Sequence, residues 1–404
     1  MATSLHSIEP PGKRPPPGGW APFALGFRPF FLAAGVYAVL LMGLWLLVLR
    51  GSLDLGTWPA LVWHGHEMLF GFTVAVIAGF LLTAAQNWTG LRTPSGTPLA
   101  ALFLLWLAGR LGFLIPGLAP GLVALVDLAF LPVLALVLAV PILKAKQLHN
   151  APFPVMLLAL TAANVLAHAE VLGWTSGWST SSASLGLHLA VYAVVTMIVV
   201  MGGRVIPSFT DNKLRTRARR WKAIEWLVPA ATLAALLAAL IAPDSLITAL
   251  LAALAAGVHA IRLAGWYTHK YWSVPLLWIL HLGYAWIALG FALLALSAAG
   301  LSATAVSSLH AFTAGGIGVL TLGMMARVSL GHTGRLLEPA PVMTRAFVAI
   351  NLAALIRVAL PLTFPGVYAQ IMMAAGVAWV AAFGLFVVVY APMLLRPRVD
   401  GKPG

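Results

Sequence analysis

Five histidines and three carboxylates mark this chain, which has few titratable groups: His64, His66, Glu67, Asp127, His168, Glu170, His188 and His310. Each lies in an apolar run or at its mouth. A charge at the centre of a membrane helix costs ~2.5–3.5 kcal/mol on insertion scales, so such groups face a bundle interior and serve ions, protons or cofactors. Neutral imidazole is the commonest metal ligand. A carboxylate beside it can orient the ring through the second nitrogen. The residue types therefore read as a metal site. His64, His66, His168, His188 and His310 are the candidate ligands. Glu67, Asp127, Glu170 and Tyr192 are candidates to orient them or carry protons.

Spacing refines this. His64 and His66 are two apart, about 200° around a helix, so both cannot face one ion from regular helix. Either His64 lies in an approach loop loosened by Gly65, or the two serve different partners. His66 is the deeper, and is expected to ligate beside His310 and at least one of His168 and His188. His188 and Tyr192 are four apart and share a face. A second pair, His259 and His281, lies toward the other end. Two histidines on sequential helices at similar depth could be axial ligands of a b-type haem, with Arg204, Arg262 or Arg327 for its propionates. His6, His149 and His269 fall in tails or loops.

The elements that must position these groups are membrane helices. The 404 residues are 61% hydrophobic and 8% charged, against about 25% charged in a soluble domain. Apolar runs of about 20 residues, each enough to cross a hydrocarbon core, recur from end to end. The fold class is an all-α polytopic membrane protein of about twelve transmembrane helices. The spans are expected near 30–49, 60–85, 99–114, 121–141, 151–173, 185–205, 224–242, 245–265, 274–297, 303–328, 344–363 and 368–394. That leaves a basic, proline-rich disordered tail over 1–28 with no cleavable signal peptide, one transmembrane domain over 29–395, and a short tail over 396–404.

With both termini in the cytoplasm, all of the 24 Lys and Arg except Arg50, Arg110 and Arg357 fall on the cytoplasmic side. The net charge of +14 is thus a topology signal and not a nucleic-acid footprint. The His and carboxylate layer then lies within roughly 10 Å of the outer face, at 1.5 Å per residue. Cysteine is absent. That excludes disulfides, iron–sulfur clusters, thiolate metal sites and covalent c-type haem.

Several strings resemble the NnrS family: ALGFRPFFLAAGVYA at 24–38, WHGHEMLFGFTVAVIAGFLLTAAQNWTG at 63–90, LWLAGR at 105–110, PLLWILHLGYAWIALG at 275–290 and HAFTAGGIGVLTLGMMARVSLGHTGR at 310–335. The blocks run in family order and cover most of the chain. The resemblance implies a bacterial inner-membrane protein of twelve spans, associated with denitrification and nitric-oxide stress, that contains haem and copper. It points to His64, His66, Glu67, His281 and His310, and to Arg327, His332, Thr333 and Arg335 of the last block. His332 falls in a cytoplasmic loop by the span boundaries above, unless its helix extends further. With no cysteine, the haem would be non-covalent haem b and the copper would be held by histidine. Nitric oxide suits an outer layer of histidines as a small uncharged gas arriving from the membrane. Any redox partner is left open. The reading from another class is a secondary transporter carrying a proton-coupled metal or small solute.

Overall fold

A computed structural model of the chain describes residues 19–53, 58–115, 117–301 and 303–402. Most of the tail expected over 1–28, with His6, lies outside the described residues, as do 403–404. Among the described residues there are twelve long helices and no strand. They are α1 (Phe27–Leu49), α2 (Ala60–Thr89), α3 (Thr97–Gly112), α4 (Pro120–Lys144), α5 (Pro152–Val171) and α6 (Ser182–Leu214). The rest are α7 (Lys222–Ile241), α8 (Leu246–Trp266), α9 (Pro275–Ala298), α10 (Thr304–His332), α11 (Pro341–Thr363) and α12 (Tyr368–Leu395). Eleven are long and apolar enough to cross a membrane, and α3 is an apolar helix of 16 residues. The chain is a helical membrane protein whose outer surface implies a lipid bilayer.

Two boundaries differ from expectation. Helix α6 continues through Pro207 and stops at Leu214, where Arg215 turns left-handed (φ 53°). Helix α10 runs to His332 rather than stopping near 328. The Thr333 hydroxyl donates to Ser329 O at 2.6 Å, and the chain turns away at Gly334 with φ 76°. His332 is therefore the last helical residue and not a loop residue.

Helices α2 and α10 form the centre. The apolar window of α2 is 78% buried and that of α10 67%, against 22% for α1. Both are interrupted by a π-helical segment that starts directly after a histidine. Glu67–Thr73 follows His66, and Ala311–Gly318 follows His310. The wide turn lets the Thr73 hydroxyl donate to Met68 O, five residues back, at 2.8 Å. Each segment holds a glycine that admits an aromatic ring. A Cβ on Gly71 would lie 2.5 Å from Tyr37 Cε1, and one on Gly315 2.5 Å from Trp286 Cγ. π-segments of this kind are rare and frequently sit at functional sites.

The bundle has a histidine end, where α2, α4, α6 and α10 begin, and an opposite basic end. At the basic end the FRPFF and GHTGR strings meet the C-terminus. The buried Arg28 guanidinium donates to the carbonyls of Met393 (3.3 Å), Leu394 (3.1 Å) and Arg396 (2.5 Å). The Phe27 ring packs on His332, centroids 5.6 Å apart. Arg398 donates to His332 O at 2.9 Å, and Val399 N to Thr333 O. Arg335 reaches Thr333 O at 3.4 Å, and Arg327 lies over the Phe209 ring at 3.8 Å. His332 and Thr333 thus tie the end of α10 to the start of α1 and to the C-terminal segment.

Candidate metal centre

Regular helix runs through Gly65, so His64 and His66 do face opposite sides of α2. His66 points inward to α4 and α5. Its Nε2 lies 2.8 Å from Asn164 Oδ1 and 3.3 Å from Asp127 Oδ2. His168 Nε2 reaches the same Asp127 Oδ2 at 2.9 Å. One atom each from His66, Asp127 and His168 lie within 4.8 Å of one another, all buried. Asn164 is one turn before His168 on α5, so a single helix face presents both.

Glu67 and Arg110 hold this group from behind. His66 Nδ1–H donates to Glu67 Oε1 at 2.8 Å, and Arg110 donates to the same oxygen at 2.7 Å. Arg110 also pairs directly with Asp127, and the Tyr37 hydroxyl donates to Glu67 Oε2. Trp106 Nε1, one turn before Arg110, donates to Gly71 O at 3.1 Å and docks α3 on the π-segment. Trp58, Phe70 and Phe113 close around the His66 ring, with centroids 4.9–5.1 Å away. Arg110 Nε is buried without a hydrogen bond. Arg110, Asp127 and Asn164 line a cavity with Phe70, Trp106 and Phe130 that has room for about one water.

The proton count makes this arrangement unusual. Glu67 Oε1 accepts from Arg110 and faces His66 Nδ1, so a neutral His66 ring that donates to Glu67 offers a lone pair at Nε2. Asn164 Nδ2 donates to Asp127 Oδ2 at 2.8 Å, which turns its Oδ1 toward His66. Asn164 Oδ1 and Asp127 Oδ2 thus both lie within 3.3 Å of His66 Nε2. Acceptors so placed need a cation among them, either a second proton on His66 or a metal ion. Two carboxylates and one guanidinium leave one negative charge, which a single cation offsets. Two imidazole nitrogens, one carboxylate oxygen and one amide oxygen suit copper, zinc or iron.

The other expected ligands lie elsewhere. His310 is not brought to His66. Its Nδ1 donates instead to Val306 O, one turn back, at 2.8 Å. His188 donates from Nδ1 to Ser184 O at 2.8 Å, and its ring meets Tyr192 edge-on at 6.1 Å, as their spacing suggests. Neither touches the His66 group. Glu170 faces the start of α6 instead, accepting from Ser181 Oγ (2.6 Å) and Ala183 N (2.9 Å). A carboxylate there satisfies the free amides of a helix N-terminus, so its role is to fix α6.

The inner pair divides in the same way. His259 is hydrogen-bonded through both nitrogens, to Thr232 Oγ1 at 2.9 Å and the Tyr284 hydroxyl at 2.8 Å, so neither is free for iron. His281 Nδ1–H donates to Leu277 O at 3.0 Å, its ring stacks on Tyr271 at 4.2 Å, and Nε2 is buried with no hydrogen bond. A carbonyl-fixed ring with a spare Nε2 lone pair is the form a metal-ligating histidine takes. The three arginines considered for propionates have protein partners: Arg204 with Asn150, Arg262 with Glu225, and Arg327 with Phe209.

Sequence reading missed Arg110, Asn164 and Tyr37. Arg110 carried a signal, as one of three cations on the wrong side of the charge split. Asn164 carried one too, four residues before His168. Tyr37 carried none.

No curated protein matches the chain. A family pattern does, that of the NnrS protein, over residues 21–398. With nearly its whole length matched, the chain belongs to the NnrS family.

Proposed function

We propose that this protein is a haem- and copper-binding protein of the bacterial inner membrane that acts in the response to nitric oxide, with both termini in the cytoplasm. His66, His168 and Asp127 would hold the copper, with Asn164 Oδ1 beside them. The observation that carries this is the convergence of one ligand atom each from His66, Asp127 and His168 within 4.8 Å of one another, all of them buried. Glu67 fixes the His66 ring, and Arg110 pairs with both carboxylates. A bound copper ion supplies one-electron chemistry toward a diatomic gas. The residues around it exclude water with three aromatic rings and leave one small cavity beside Asp127. His281 would hold haem b, a role supported by its buried Nε2, which has no hydrogen-bond partner. Family membership supports the link to nitric oxide.

Metal analysis and a pyridine haemochrome assay test this on protein purified after growth with ample haem and copper. Copper near one per chain and acid-acetone-extractable haem are expected. His281→Ala should remove a Soret component and keep copper. Colourless, metal-free protein would overturn the proposal and favour the transporter.

A further inference from the structure

A small cavity of about 10 Å³ lies beside the metal centre, between α2, α3, α4 and α5. We propose that it receives one end of a diatomic gas whose other end meets the metal, and that Arg110 Nε donates a hydrogen bond to that gas. This rests on the copper reading above and adds the seat of the ligand and its donor.

Arg110 is only 3% exposed, and its nitrogens are used unequally. Nη1 donates to Glu67 Oε1 at 2.7 Å and Nη2 pairs with Asp127, while Nε is buried with no hydrogen bond. A guanidinium carries donors only, so Nε is an N–H left without an acceptor. Burying such a donor costs free energy that a ligand would recover. Arg110 lines the cavity together with Asp127 and Asn164. Those two also face the metal position. Asp127 Oδ2 lies 2.9 Å from His168 Nε2 and 3.3 Å from His66 Nε2, and Asn164 Oδ1 lies 2.8 Å from His66 Nε2. The cavity is thus shared by the spare donor and by residues that would meet the metal.

The rest of the lining is Phe70, Val74, Leu105, Trp106, Phe130 and Leu131. Trp106 Nε1 is committed to Gly71 O at 3.1 Å, so this wall offers a ligand only apolar contact. A hydrated ion would find most of its shell unmatched there, whereas an uncharged gas has no shell to lose. Size narrows the choice further. The cavity has room for about one water, so a two-atom ligand with one atom at the metal fits and a bulkier one does not.

Carbon monoxide is the probe, because its stretching bands on reduced copper and on haem are well separated in the infrared. The purified full chain in detergent is reduced with ascorbate, its copper is measured, and the copper–carbonyl band is recorded. The wild type should show this band, with a small shift in deuterium oxide from the Arg110 donor. Arg110→Lys keeps a charge between Glu67 and Asp127 but lacks Nε, and should move the band to higher frequency. Val74→Ile changes no polar group and adds a carbon to the cavity wall. It should weaken carbon monoxide binding at least several-fold with copper retained. If Arg110→Lys fails to fold or to hold copper, the deuterium shift and Val74→Ile carry the test. Copper without a carbonyl band, a band that neither deuterium nor Arg110→Lys moves, or unchanged affinity in Val74→Ile overturns the proposal and leaves the copper reading standing. Wild-type protein without copper overturns that reading, and this proposal with it.

Discussion

His66 does two jobs with its two nitrogens. Nδ1 is committed to Glu67, and Nε2 is left to a place where only acceptors meet it. Removing the ring should empty the metal site, whereas Glu67→Gln keeps the ring and weakens its orientation. Metal titration should show no high-affinity binding in His66→Ala and affinity lower by ~10–100-fold in Glu67→Gln. Equal loss in both would make Glu67 a ligand. The residue types of this site were legible in the sequence: histidine, glutamate and aspartate in apolar runs declare themselves by cost. Their grouping was not. His66, His310 and His188 share a depth, and depth says nothing about which face of which helix looks at which neighbour. The rotation of α10 that leaves His310 off the His66 group is set by helix packing, which one-dimensional spacing does not carry.

At the scale of elements, the helices were legible and the π-segments were not. Apolar length predicts a span, and twelve helices follow in the expected order. A π-segment has no composition signal. Its traces were the glycines at equal offsets, Gly71 and Gly79 after His66 and Gly315 and Gly323 after His310, which ordinary packing explains as well. The structure gives Gly71 a specific burden. Its missing Cβ makes room for the Tyr37 ring, with Glu67 Oε2 at 3.2 Å and Arg110 Cδ at 3.3 Å from the same point. Gly71→Ala should push Tyr37 off Glu67 and overpack the α1–α2 contact. The expected cost is ~1–3 kcal/mol, read as a lower Tm, together with weaker metal binding. Gly315→Ala has the same packing burden, against Trp286, and should lower Tm without changing metal affinity.

At the scale of the whole molecule, the charge split sets the orientation, and reporter fusions test it. A fusion after residue 180, between α5 and α6, should be active in the periplasm. One after residue 215, between α6 and α7, should be active in the cytoplasm. The opposite pattern would turn the metal centre to the cytoplasmic side and require its gas to come from there. The ring closure of the bundle has a further consequence, in the order of synthesis. The Arg28 guanidinium takes its acceptors from residues 393–396, and Trp379 Nε1 donates to Ala38 O at 3.3 Å. Helix α1 also supplies Tyr37 to the metal centre. The first helix to leave the ribosome therefore finds its final neighbour only when the last one arrives. Until then it waits in lipid with one face unclaimed, and Tyr37 is held toward Glu67 from one side alone. A chain released early, before about residue 368, would be inserted and long enough to look whole, yet its centre would lack that backing.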